Sequence, residues 1–274
     1  MRKNTWIRIA VIAAFFAFYS NALAQSQKGK ESDQYYTSFD GVKIHYEVSG
    51  DGFPVLLVHG FISDGESWKR AALLNDLLGA GYKVIVPDMR GNGKSDKPDT
   101  PEAYEKDAEA KDLIGLISAL KIDSYHVIGY SRGSIITTRL LVNDSRIKKA
   151  VLGGMGADFT DPEWPRRKMF YRALMGETVP ELEGMVKRVK DNGLDQLALA
   201  YLQNGQPSTS HDELGKIRQP VLVISGDRDN DNGRAEELAA LIRTSHAARV
   251  PGDHGSTRTS KEFSAEVLKF LSAK

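Results

Sequence analysis

The sequence predicts an α/β fold, a mostly parallel sheet covered by helices on both faces. Three observations lead there. Short continuous apolar runs, rich in Val, Ile and Leu, recur along the chain and each closes in a loop, as strands buried on both faces do. Stretches with apolar residues at helical spacing separate them. One such run, ending in Val127-Ile128, breaks at Gly129-Tyr130-Ser131-Arg132-Gly133 and passes into a helix-like stretch, Ser134 to Val142. A serine at such a turn is held in a strained conformation that lifts its hydroxyl clear of the sheet. Side chains in place of the flanking glycines would collide with neighbouring chain.

The first residues read as a targeting segment. Arg2, Lys3 and Arg8 accompany the apolar run Ile9 to Tyr19, and Ala22-Leu23-Ala24 offers small residues for cleavage before Gln25. The run is shorter than the roughly twenty residues that span a bilayer. Residues 1–24 are therefore expected to be a signal peptide and the product to be exported, periplasmic or secreted, with no stable membrane insertion after cleavage. Residues 25–33 read as a flexible polar segment. Cleavage would remove three cations and no anions from a chain with 37 Lys and Arg against 36 Asp and Glu, leaving a small acidic excess. That balance offers no basic surface for nucleic acid. The 274 residues contain no cysteine, so the fold must rest on its core. The same absence excludes thiol nucleophiles, zinc–thiolate sites and iron–sulfur clusters.

From residue 34 onward the elements come in order. Tyr35 to Phe39 and Val42 to Val48 form a hairpin about Asp40-Gly41, a strong turn pair. Val55 to Val58 is a buried strand ending in His59-Gly60-Phe61, and Ser67 to Leu78 is a helix closed by Gly79 and Gly81. Tyr82 to Val86 is a second buried strand, followed by the glycine-punctuated loop Asp88 to Asp96. Residues 102–120 are helical, with Leu113, Ile114, Leu116, Ile117 and Leu120 crowding the second half. Ser124 to Ile128 leads into the serine turn, and Ile147 to Leu152 is another strand ending in Gly153-Gly154. From about 157 to 216 no strand is apparent. Helical stretches Pro162 to Met175, Pro180 to Lys190 and Leu194 to Leu202 make an insertion between two strands. Pro220 to Gly226, a helix at 234–243, Ala247 to Val250 and the helix Ser260 to Leu271 complete an eight-stranded sheet.

A serine hydroxyl becomes a nucleophile when a base takes its proton and a third group orients the base. In α/β proteins with this turn the order along the chain is serine, acid, histidine. Of the six histidines, that order leaves His211, His246 and His254. His211 lies in the insertion and His246 before the last strand, at the wrong edge. His254 comes after that strand, at the strand ends where ligands bind in such sheets, and is the candidate base. Ser225-Gly226-Asp227-Arg228-Asp229 supplies two candidate acids at another strand end. The run Asp227 to Leu238 brushes against a calcium loop, but Asn232 stands where that loop needs glycine and Leu238 where it needs glutamate, so no metal site is expected. For an oxyanion, the backbone N–H of Arg132 at a helix start and that of Phe61 after the first buried strand are the expected donors. His59 precedes the serine and is expected to anchor its loop rather than move protons.

With these parts placed, residues 35–272 resemble the α/β-hydrolase superfamily. The marks are His59-Gly60-Phe61, Asp88-Met-Arg-Gly-Asn-Gly-Lys-Ser95, Gly129-Tyr-Ser131-Arg-Gly133, Gly226-Asp-Arg-Asp229 and Gly252-Asp-His254. The resemblance implies the α/β-hydrolase fold, a Ser131–His254–Asp229 triad, with Asp229 rather than Asp227 as the acid, and a helical cap over 157–216. It does not imply one reaction; the leading expectation is a small-molecule acyl substrate (ester, thioester or amide) cleaved through an acyl-enzyme, with no metal or organic cofactor. C–C bond hydrolysis and cofactor-free perhydrolase or haloperoxidase-like chemistry are alternatives on the same triad, and a non-catalytic ligand-binding protein is a third class. Dehalogenases and epoxide hydrolases of this fold use an aspartate where Ser131 stands. Fold alone does not fix substrate. In the insertion, Trp164, Phe170 and Tyr171 are the candidate substrate contacts. Arg166, Arg167 and Arg172 offer partners for a substrate carboxylate but, at this density, read as solvated helix-face charges.

Overall fold

The computed structural model describes residues 33–273. The expected signal peptide and all but the last residue of the polar segment after it lie outside the described residues. The sheet has eight strands: β1 (Gln34–Thr37), β2 (Lys43–Ser49), β3 (Pro54–Val58), β4 (Lys83–Pro87), β5 (Tyr125–Tyr130), β6 (Ile147–Gly153), β7 (Val221–Gly226) and β8 (Ser245–Val250). Their order is β1-β2-β4-β3-β5-β6-β7-β8. β2 runs antiparallel to both its neighbours, and every other pairing is parallel. The mostly parallel, eight-stranded α/β fold read from the sequence is the one present.

Strand alternation sorts the apolar residues onto two cores. Leu56, Val58, Val127, Leu152 and Val223 face one side, under α3 (Ala108–Ala119), α4 (Arg132–Asn143) and α9 (Ala235–Leu241). Val55, Leu57, Ile128, Val151 and Ile224 face the other, under α1 (Glu66–Lys69), α2 (Ala72–Gly79) and α11 (Lys261–Ser272). Because both faces are covered, β5 and β7 are buried along their whole length. No helix among the described residues is long and apolar enough to cross a membrane.

Two expected helices are broken. The stretch 67–78 divides at Ala71, which is extended (ψ 144°). In a continuous helix Trp68 and Leu73 would point roughly 140° apart; the break lets both enter the same core. The stretch 102–120 divides at Lys106 and Asp107, both with positive φ, and Asp107 there pairs with Arg139 of α4 at 2.8 Å.

The insertion carries its own small core. α5 (Pro165–Leu174), α6 (Glu183–Asp191) and α7 (Gln196–Asn204) pack Leu174, Met185, Val189 and Leu199 together with Tyr104. One helix was not anticipated: α8 (His211–Lys216), started by a Ser210–Glu213 capping box. Its Leu214, with Ile217 beyond it, packs into the sheet-side core rather than the cap.

His126 on β5 is buried against Phe53, with ring centroids 4.6 Å apart, and near Tyr82. Burial first, then the nearby Lys149 charge, pulls its pKa from 6.5 down to about 4. The unfolded chain therefore takes up a proton near pH 6.5 that the folded chain refuses until about pH 4, so stability falls as pH drops through that window. Urea midpoints measured from pH 7 to 4 are expected to fall more steeply in the wild type than in His126→Phe. Parallel curves would show that His126 is not the group responsible.

Candidate active site

β5 delivers Ser131 to the first residue before α4, with φ 54° and ψ −125°. A non-glycine residue at positive φ is strained. Here the N–H of Ser131 donates to Gly153 O at 2.7 Å, and the Ser134 hydroxyl donates to the same oxygen at 2.8 Å. The two glycines of the turn make this approach possible. A Cβ on Gly129 would lie 2.3 Å from Gly133 O, and one on Gly133 would lie 2.2 Å from Val58 O.

His254 opens the one-turn helix α10 (His254–Thr257), after β8. Asp253 caps it by accepting from the N–H groups of Gly255 (3.1 Å) and Ser256 (2.8 Å). The Tyr130 hydroxyl donates to His254 O at 2.7 Å, with its ring centroid 5.4 Å from the imidazole. So held, His254 Nε2 lies 2.9 Å from Ser131 Oγ. Its Nδ1 lies 3.0 and 3.2 Å from the two carboxylate oxygens of Asp229. Asp229 is buried. Asp227, two residues earlier, turns away and accepts the N–H of Gly252 at 2.9 Å, bracing the loop that carries His254. Asp231 also comes within 4.8 Å of Asp229 and His254, a donor set a cation can use, though the ring and the buried carboxylate already bind each other.

The loop after β3 forms the facing wall. A Cβ on Gly60 would stand 3.2 Å from Ser131 Cβ, so this loop lies against the serine, and the Phe61 ring lines the cavity over it. Arg132 begins α4, so its N–H has no acceptor within the helix. His59 fixes the loop from beneath. The N–H of Met89 donates to His59 Nε2 at 3.0 Å, so the proton sits on Nδ1, which donates to Gly60 O at 2.8 Å. Burial holds its pKa below 6.5, outweighing the raising effect of that bond and of Asp88. His59 is a neutral brace with both nitrogens engaged.

The Arg132 side chain had no reading from the sequence. It is buried and forms a bidentate pair with Glu109, both contacts 2.6 Å, and its Nη2 donates to Leu202 O at 2.9 Å. The residue after the serine thus ties α3 and the cap helix α7 to the turn.

Ser131 and His254 open into a cavity of about 730 Å³ under the cap. Trp164 and Phe170 line it, and Phe170 meets the Phe61 ring at 5.9 Å. Tyr171 is not among the lining residues; it packs against the cap's own core. Arg166 and Arg167 are lining residues, contrary to their reading as solvated charges, whereas Arg172 lies outside, 3.8 Å from Glu177. Arg188, Glu181, Asn192 and Gln206 also line the cavity and had no signal in the sequence. A second cavity of about 590 Å³, between the loops around Asp64 and Asp88 and residues 193–199, contains neither Ser131 nor His254.

The family model for the alpha/beta hydrolase fold matches residues 54–194. A Synechocystis sp. protein that carries a non-heme chloroperoxidase name is 40% identical over 245 residues, spanning 77% of this chain and 87% of that one. The chain belongs to the α/β-hydrolase family. It is an enzyme, a hydrolase. Among solved structures, a bromoperoxidase from Bacillus anthracis matches with TM-score 0.74 at 25% identity, covering 88% of this hydrolase and 100% of that chain. The esterase RhEst1 from Rhodococcus sp. ECU1013 matches with TM-score 0.68 at 26% identity, covering 88% and 99%.

Proposed function

We propose that this hydrolase is a serine enzyme that cleaves a small ester, thioester or amide through an acyl-enzyme. The observation that carries the reading is the unbroken hydrogen-bonded line Ser131 Oγ, His254 Nε2, His254 Nδ1, Asp229, at 2.9 and 3.0 Å. Ser131 Oγ attacks the substrate carbonyl while His254 takes its proton, and the N–H groups of Phe61 and Arg132 receive the oxyanion. His254 then gives that proton to the leaving oxygen, sulfur or nitrogen. Water, deprotonated by His254, adds to the acyl carbon, and release of the acid returns the proton to Ser131. Asp229 fixes the imidazole tautomer and stabilises the imidazolium. Trp164 and Phe170 are the proposed apolar contacts to substrate.

A fluorophosphonate probe is expected to label the folded enzyme at one site, lost in Ser131→Ala. Labelling at another residue, or none, would sink the reading. The names of the Synechocystis and Bacillus anthracis relatives favour a second reaction on the same acyl-enzyme. Hydrogen peroxide would replace water as the attacking group and release a peracid. Ester turnover with and without peroxide separates the two. We also propose export, on the basic, apolar and small-residue order of residues 1–24; recovery solely in the cytoplasmic fraction would overturn it.

A further inference from the structure

We propose that the acyl substrate carries a carboxylate of its own, recognised by Arg166 and Arg188 of the cap; this rests on the serine-hydrolase reading above. The ionisable residues lining the active-site cavity are Arg132, Arg166, Arg167, Arg188, Glu181 and His254. Arg132 is neutralised by Glu109. That leaves three guanidinium groups against one carboxylate in a cleft whose other walls include Phe61, Ile135, Met155, Trp164 and Phe170. Low-dielectric walls focus such a charge excess and raise the local concentration of anions.

The cavity arginines differ from the arginines that are paired within the fold. Arg90, Arg139, Arg146 and Arg249 each meet a carboxylate at 2.6–2.8 Å. Arg166, Arg167 and Arg188 meet none among the described residues, although Glu181 lines the same cavity. Arg167 is engaged by Gln206 O, to which it donates at 3.0 Å. Arg166 lies over the Phe170 ring, 4.9 Å from its centroid. A cation–π contact of that kind holds the guanidinium plane in place while leaving its N–H groups free to donate. Arg188 comes from α6, on a different cap helix from Arg166. A planar guanidinium presents two parallel donors that match a carboxylate, and an ammonium does not. The combination selects a substrate with an acyl carbon for Ser131 at one end and a carboxylate at the other, as in a half-ester of a short dicarboxylic acid.

The test compares mono-p-nitrophenyl glutarate with p-nitrophenyl pentanoate, which have similar chain lengths and differ in one charge. Wild type is expected to favour the anionic ester by about tenfold or more in kcat/KM, as a hydrogen bond to a charged group allows. Added KCl should erode the preference. Arg166→Gln and Arg188→Gln are each expected to lower the anionic-to-neutral ratio about tenfold. Arg172→Gln, outside the cavity, should leave the ratio as it is. Equal turnover of the two esters by wild type, or an unchanged ratio in both cavity variants, overturns the proposal. Calorimetric binding of monomethyl glutarate to Ser131→Ala reads recognition without chemistry. Binding weakened about tenfold by Arg188→Gln in that background supports the proposal, and no binding overturns it. If binding is present while the probe fails to label Ser131 and neither ester turns over, the serine-hydrolase reading fails and carboxylate recognition stands.

Discussion

Ser131→Ala is expected to lower kcat/KM for a short-chain p-nitrophenyl ester by about 10⁴-fold or more. The size reflects both the groups lost and the groups kept. The variant has no atom to form the acyl-enzyme, and the 2.9 Å contact to His254 disappears. The proposed oxyanion donors and the cavity are kept, and His254 can still activate water, which accounts for a residual rate. The variant should fold, because the strain at φ 54° falls on the backbone and an alanine bears it as a serine does. The hydrogen bond from the residue 131 N–H to Gly153 O also stays. The measurement is therefore steady-state kinetics on protein whose thermal midpoint matches wild type. Wild-type-like turnover by that folded variant would remove Ser131 from the chemistry.

The candidate nucleophile and base were legible because local pattern locates them. Buried parallel strands announce themselves as unbroken apolar runs, and the fold places ligands at their C-terminal ends. Ser131 stands just past such a run, and His254 just past the short edge strand β8, both at the ends where ligands gather. The acid was harder. Asp227 and Asp229 both come after β7, and the residues alone did not separate them. A tertiary contact separates them, the Gly252 N–H that engages Asp227 and leaves Asp229 to the imidazole. The cap was least legible. Which face of α5 or α6 meets the cleft depends on how three short helices pack over one another. Arg166 and Arg188 thus look in sequence like the neighbouring Arg172 and Lys187, which pair with Glu177 and Asp191 at the surface. The helix breaks at Ala71 and Asp107 escaped for the same reason: helical periodicity continued across them, and the demands of the distant core did not show locally.

Glu109→Ala is expected to cost about 3–5 kcal/mol of folding stability. The Glu109 and Arg132 side chains are 2% and 7% exposed, and both carboxylate oxygens accept from the guanidinium at 2.6 Å. Deleting the acid strands a buried cation with the Leu202 carbonyl as its remaining hydrogen-bond acceptor. A loss of that size is a large share of a typical total of roughly 5–15 kcal/mol. It corresponds to a thermal midpoint lowered by roughly 6–20 °C for a domain of about this size. The pair itself need not be a net source of stability, since desolvating two charges offsets most of their attraction. The double variant Glu109→Leu with Arg132→Met, which removes both charges and keeps the volume, should therefore recover most of the stability that Glu109→Ala loses. Urea unfolding of the three proteins reads both numbers. A cost below about 1 kcal/mol for Glu109→Ala would mean that water reaches the pair and that it behaves as a surface ion pair. Recovery in the double variant with turnover still depressed would locate the purpose of Arg132 in its bond to Leu202 O. That bond is the point where the cap is fastened to the residue after Ser131, and stability alone does not require it.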